Sequence, residues 1–287
     1  MTPRGKLLVI GGTDGESGAK TNQEAGHIQL LNDLLPAGHK KTIEIITTAT
    51  GIRDDLQKFF LNELRKFGHP GIGFLNIANR DEANQDEFIQ RIQNADAVFF
   101  SGGDQFRISS VIGGTKLSLQ LKEKYSNDPC FIVAGMGAGA MAIPEIMIAD
   151  GGMENAPKDS DLKTNSGLGL LKNCIIDTHF IGQGRFGRLA HAVAINPMEL
   201  GIGLGEGSAL LIENGIEATC LGTGMVIIID GQNIRHTNVA MVKPNDPIFA
   251  DHLTVHLLVK DCRFSLEKRE MINPEKLLKG NVQITNE

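Results

Sequence analysis

Apolar positions along the chain follow two alternating rhythms. Short, nearly continuous apolar runs rich in β-branched residues occupy Lys6–Gly12, Thr42–Ala49, Gly71–Ile77, Ala97–Ser101 and Phe131–Met136. Such runs predict strands covered on both faces. Between them apolar residues recur at helical spacing: near Asn22–Leu35, along Ile52–Phe67 (Leu56, Phe59, Phe60, Leu64, Phe67), along Asp81–Asn94 (Phe88, Ile89, Ile92) and in turns from Asp104 to Lys124. Strands alternating with helices predict an α/β fold with a doubly wound, mostly parallel central sheet flanked by helices. Ligands of such sheets bind at the carboxyl ends of the strands.

After Ile148 the pattern changes. Ala149–Leu168 is polar and glycine-rich and reads as a long loop, of the kind that often covers a site. Cys174–Phe180 predicts a strand, and Arg185–Ile195 a helix that stops at Asn196-Pro197. Short strands with turn signals follow at Ser208–Glu213, Ala218–Leu221, Met225–Asp230 and Leu253–Val259, and read as further sheet on the same core. No repeat, low-complexity segment or linker divides the sequence, so residues 1–287 are expected to form one domain.

The stretch Phe131–Ile143 stands out. An apolar strand ends abruptly in small residues, and an Ala/Met/Ile helix follows. In α/β hydrolytic enzymes this strand–elbow–helix presents the nucleophile, and its strained turn demands small flanking residues. Here the elbow spans residues 135–139 in the frame Gly135-x-Gly137-x-Gly139, with Gly137 at the centre. The housing for a nucleophile holds no side chain.

Composition narrows the classes. The net charge is −6 with no basic stripe, which argues against a nucleic-acid partner. No apolar stretch approaches the roughly 20 residues of a membrane span. Met1–Lys6 leads straight into a strand without a signal-peptide apolar region, so a cytoplasmic location is expected. Cys130, Cys174, Cys220 and Cys262 are far apart and read as small buried hydrophobes in a reducing compartment. His252 and His256 are four apart but fall on a predicted strand, so no metal site is expected, and no cofactor.

Three further stretches carry candidate chemistry. Gly102-Gly103-Asp104-Gln105 follows a strand. Its glycine amides could form an oxyanion hole, or Asp104 could simply cap a helix. Asp177-Thr178-His179-Phe180 leads into Arg185 and Arg188. A histidine at a strand end suits a general base. Arginines three apart share a helix face and could hold a carboxylate. Gly201–Ala209 sets Glu206 between glycines, where it could orient a histidine or sit exposed in a hairpin turn. The loop Gly11–Gly18 matches neither the phosphate loop nor the dinucleotide fingerprint, and a nucleotide-binding function would rest on it alone.

Together these stretches resemble the cyanophycinase family of serine peptidases, relatives of aspartyl dipeptidase with a class I glutamine-amidotransferase-like core. The likeness runs from Lys6 to about Asp230 and takes in the first strand, Gly102–Gln105, the elbow, the Asp-x-His-Phe segment with its arginines, and Gly201–Glu206, in that order. That family hydrolyses cyanophycin, a poly-aspartate backbone carrying arginine, to β-Asp-Arg dipeptides through a Ser-His-Glu triad. The resemblance implies His179 as general base, Glu206 as its orienter and Gly103 and Ala138 as oxyanion amides. It also implies Gln105, Asp177, Thr178, Arg185 and Arg188 around a pocket for cyanophycin or another β-aspartyl peptide, and a homodimer. Four positions depart from the family pattern: Gly137 replaces the serine of Gly-Thr-Ser-Ala-Gly-Ala, Thr178 a frequent glutamine, Gln183 an arginine and Gly205 a frequent acidic residue.

A serine peptidase without its hydroxyl forms no acyl-enzyme. The chain as written is therefore expected to be catalytically dead yet able to bind substrate, since glycine adopts the elbow angle more readily than serine. Its glycine reads as an engineered inactivation, because His179, Glu206, Gln105 and both arginines stand intact. The alternatives are a natural non-catalytic homologue that binds or regulates, a peptidase for another aspartyl or β-aspartyl peptide, and an amidotransferase-like binding protein whose elbow is structural only.

Overall fold

In the computed structural model, which describes residues 2–12, 28–35, 42–50, 54–66, 71–151, 158, 161–275 and 277, the apolar runs become strands. β1 (Lys6–Ile10), β2 (Thr42–Ile46), β3 (Gly71–Leu75), β4 (Ala97–Phe100) and β5 (Ile132–Met136) lie parallel in the order β1-β5-β4-β2-β3. Side chains alternate across a strand, so a continuous run feeds both faces. Leu7, Val9, Val98, Phe100 and Val133 enter one buried cluster. Leu8, Ile10, Phe99, Ile132 and Ala134 enter another. Helices α1 (residues 28–34) and α2 (Asp54–Lys66) seal the second through Ile28, Leu31, Phe60 and Leu64. Helices α3 (Asp86–Asn94), α4 (Gln105–Ile112) and α5 (Lys116–Asn127) cover the first through Ile92, Ile108, Ile112, Leu117 and Leu121. The α/β class is as expected. The helix expected over Asp81–Asn94 is divided, because extended Gln85 (φ −74°, ψ 136°) separates a 3-10 turn at Glu82–Asn84 from α3.

The second half adds further sheet on the same core, in two parts. After β5 come α6 (Ala138–Met141), β6 (Ile146–Asp150), β7 (Lys163–Ser166), β8 (Cys174–Thr178), α7 (Phe186–Ile195) and β9 (Leu200–Leu204). Then follow β10 (Ser208–Glu213), β11 (Glu217–Gly222), β12 (Val226–Asp230), β13 (Thr254–Leu258), β14 (Arg263–Ser265) and β15 (Glu270–Met271). β10 pairs antiparallel with β1, and β11, β14 and β15 continue that sheet to nine strands. β13, β12, β9 and β8 form a separate four-stranded sheet. β8, β9 and β12 are buried along their whole length: Ile176, Ile202 and Ile228 join the cluster of the main sheet, while Ile175, Ile227 and Ile229 pack with Leu189 and Val193 of α7.

Within Ala149–Leu168, expected to be loop, β7 pairs antiparallel with β6. Residues 152–157 and 159–160 of that stretch lie outside the described residues, as does the loop Thr13–Thr21. All four cysteines are free thiols, and Cys130 is exposed, since it sits in the turn before β5 rather than in the core. No described helix is long and apolar enough to cross a membrane.

One charged pair is built into the main sheet. Glu44 of β2 is 5 % exposed, and its carboxylate accepts from Arg91 Nε of α3 at 3.1 Å. Removing the cation strands a buried carboxylate. Arg91→Leu is expected to lower the unfolding free energy by about 2–3 kcal/mol. The joint replacement Glu44→Leu/Arg91→Leu should cost clearly less, as chemical denaturation of the three proteins would read.

Candidate active site

At the carboxyl end of β5 the chain turns through Gly137 (φ 56°, ψ −120°) into α6. The three elbow glycines are small for different reasons. A Cβ on Gly135 would stand 2.6 Å from the carbonyl of Gly139, and one on Gly139 would overlap the carbonyl of Phe100. Those two positions are fixed by backbone pressed against backbone. Gly137 is different. Among the described residues outside its own turn, a Cβ there would meet only His179 Nε2 at 3.5 Å and Gly102 Cα at 4.0 Å. A side chain fits, and a hydroxyl on it would lie within hydrogen-bonding reach of the imidazole.

Two amides are next in sequence to that space: Ala138 follows Gly137, and Gly103 follows Gly102, whose Cα borders it. Among the described residues, no backbone carbonyl accepts from the N–H of Gly103 or of Ala138. Ala138 opens α6, where first-turn amides have no intrahelical partner. The neighbouring side chains are engaged elsewhere. Asp104 accepts from the N–H groups of Phe106 and Arg107 and so caps α4. The amide nitrogen of half-buried Gln105 donates to the carbonyls of Ile148 and Ala149, tying α4 to β6.

His179 follows β8 in the left-handed conformation (φ 49°), and its N–H donates to the carbonyl of Gly11 at 2.8 Å. Its ring occupies the place where Gly12 lacks a side chain: a Cβ there would sit 2.5 Å from Cε1 and Nε2. Glu206 accepts the N–H of Gly182 on both oxygens, at 3.0 and 3.2 Å. That contact braces the turn running from His179 to Arg185, which also holds itself by Gln183 N–H to His179 O and Arg185 N–H to Phe180 O. Glu206 thus acts on the segment that carries the histidine.

The arginines do hold a carboxylate, and it is the protein's own. Asp177 is fully buried and accepts from Arg188 Nε at 2.6 Å, Arg185 Nη1 at 3.2 Å and Thr178 N–H at 2.9 Å. Arg188 also donates to the carbonyl of Gly151 and Arg185 to that of Thr178. Burial lowers the Arg185 pKa from its usual value, against the opposing pull of Asp177. Asp177, Thr178 and Arg188 are buried, and the Thr178 hydroxyl has no partner among the described residues. Of the five side chains expected at the pocket, Gln105 and Arg185 are the partly exposed ones. The loop of Gly12 was expected only near the mouth of the site, and Gly151 and Gly182 carried no role in the sequence. The three glycines act through a missing Cβ, a carbonyl and an amide, and only the glycine doublet at the end of β1 hints at the first. No group of three potential metal ligands forms among the described residues. A cavity of about 770 Å³ lined by Pro3, Tyr125, Asn173, Met198 and Arg269 lies before the amino ends of β1, β8 and β9, away from Gly137.

Peptidase family S51 matches residues 7–219. The cyanophycinase of Synechococcus elongatus is 30 % identical over 262 residues, covering 90 % of this chain and 79 % of that protein. The cyanophycinase of Trichormus variabilis is 30 % identical over 267 residues, covering 93 % and 87 %. Among solved structures, a peptidase from an acI-B1 Actinobacterium gives a TM-score of 0.59 at 18 % identity, covering 88 % of this chain and 97 % of that one. A putative peptidase E from Listeria monocytogenes gives 0.52 at 14 %, covering 76 % and 98 %. At those identities the two structures speak for the fold.

The contrast between the elbow glycines is measurable. Gly139→Ala forces the backbone of β4 to move and is expected to cost about 3 kcal/mol. Gly137→Ala pays only for its backbone angle, about 1–2 kcal/mol. Equal losses in urea denaturation would contradict this account of the turn. Asp177→Asn leaves two guanidinium groups without their anion and should cost about 3–5 kcal/mol by the same measurement.

Proposed function

The chain belongs to peptidase family S51, and from that premise we propose that it is a cyanophycinase-type serine peptidase whose acyl-enzyme route is closed at Gly137. One observation carries the proposal: the space at Gly137 opens onto His179 Nε2 and borders Gly102, and the amides of the residues that follow, Ala138 and Gly103, donate to no described backbone carbonyl. A peptide carbonyl seated there would direct its oxygen at the two amides, which stabilise the charge that develops on attack. His179 is the general base, and Glu206 steadies it through the 179–185 turn. Gln105 and Arg185 face the substrate, and Asp177, Thr178 and Arg188 hold Arg185 in place from behind.

The substrate class follows from the relatives named as cyanophycinases and from charge. A β-Asp-Arg unit offers carboxylates to an arginine and a guanidinium to acidic groups. Because Arg188 is committed to Asp177, Arg185 is left as the partly exposed cation of the pair. That favours, as a second reading, a β-aspartyl peptide carrying fewer carboxylates. The unused room at Gly137 fits an engineered replacement of the nucleophile. A cytoplasmic homodimer completes the reading on family likeness alone.

Without a nucleophile the acyl-enzyme cannot form, a loss of about a millionfold over the floor set by oxyanion donors and binding. Gly137→Ser is expected to raise β-Asp-Arg release from cyanophycin by orders of magnitude, followed by mass spectrometry. If that variant leaves cyanophycin and other β-aspartyl peptides intact, the peptidase reading fails.

A further inference from the structure

We propose that the chain as it stands hydrolyses its peptide slowly without a covalent intermediate, His179 driving a water molecule onto the carbonyl from the space at Gly137. The inference rests on the substrate reading above and goes beyond it. Closing the acyl-enzyme route does not empty the site of chemistry. The base is still held on three sides, by the Gly11 carbonyl, by the Cβ-less Gly12 and by the turn that Glu206 braces.

The argument begins with volume. A serine would place a methylene and a hydroxyl in front of Nε2. Glycine leaves room there, and a water needs about the volume of those atoms together with polar partners. His179 Nε2, 3.5 Å from the Cβ position, is one such partner, and the bound peptide carbonyl is the group the water meets next. Alanine would not be equivalent. Its methyl would occupy the same region, 3.5 Å from Nε2, and shut the water out. Of the replacements that remove a serine, glycine is the one that leaves the base something to act on.

The step balances. The water oxygen bonds to the carbonyl carbon while the C=O π pair moves onto the oxygen, which the N–H groups of Gly103 and Ala138 receive. Nε2 takes the proton that water gives up. The tetrahedral species collapses, the C–N bond breaks, and the departing nitrogen takes that proton from Nε2. One water is consumed, one carboxyl and one amine are formed, and His179 ends as it began. General-base assistance of this kind is worth about 10²–10⁴-fold.

The test compares the chain as written with Gly137→Ala, His179→Asn, the double variant and Gly137→Ser, all on cyanophycin. Asparagine is chosen because it tolerates the positive φ at residue 179, and thermal melts establish that each variant is folded. Gly137→Ala and His179→Asn are each expected to lower the release rate by about 10²–10⁴-fold, and the double variant no further, since both remove one activated water. The chain as written should show no pre-steady-state burst and no labelling by a fluorophosphonate, whereas Gly137→Ser should show both. An alanine variant as fast as the parent, or folded His179→Asn at the parental rate, overturns the inference while Gly137→Ser activity keeps the peptidase reading. Silence from Gly137→Ser on cyanophycin and on other β-aspartyl peptides overturns the peptidase reading and this inference with it.

Discussion

The carbonyl of Ile10 receives the amide of Gly137, that of Gly11 the amide of His179, and that of Gly12 the amide of Gly207. The elbow, His179 and the loop of Glu206 are therefore fastened to one short piece of backbone at the exit of β1. Each bond is worth about 1 kcal/mol net, but leaving such groups unpaired in a buried place costs more. The bonds also require close approach. A Cβ on Gly11 would overlap the carbonyl of Gly205, so the loop of Glu206 could not come as near. Main-chain bonds are indifferent to what hangs from the Cα. For that reason the site keeps its form with a glycine at its centre.

Legibility in the sequence followed the same division. The five parallel strands were readable because burial on both faces demands uninterrupted apolar runs. The elbow was readable because three glycines at alternate positions, straight after an apolar strand, mark a turn too tight for side chains. Asp104 as a helix cap was visible from its place before α4. What escaped is what apolarity does not encode. β7, with the sequence KTNS, is exposed along its whole length and carries no apolar signal. The strands of the second sheet look like those of the first, and no pattern within a strand says which sheet it will join. The roles of Gly12, Gly151 and Gly182 belong to atoms that every residue has.

The arginine pair shows how a sequence can suggest a partner chemistry that the protein itself supplies in part. Two guanidinium groups on neighbouring turns invite a carboxylate, and the nearest is Asp177, two residues before the histidine. Taking three charges out of water is tolerable only because they are matched by four donated hydrogen bonds and by the carbonyls of Gly151 and Thr178. The cluster then acts as a strut, joining the end of β8, the start of α7 and the exit of β6. Of the three charged groups, Arg185 is the one that keeps part of its side chain open to solvent.

β1 has one more property. Its neighbours are β5 on one side and β10 on the other, and Lys6 lies opposite Glu213. About two hundred residues separate β1 from β10, so a ribosome makes β1 well before its partner. Until then the strand that anchors the whole centre has a bare edge, the kind of edge that invites pairing with a stranger. A message cut short before β10 would yield a product whose first strand has no partner on that side, and so no way to finish its own middle.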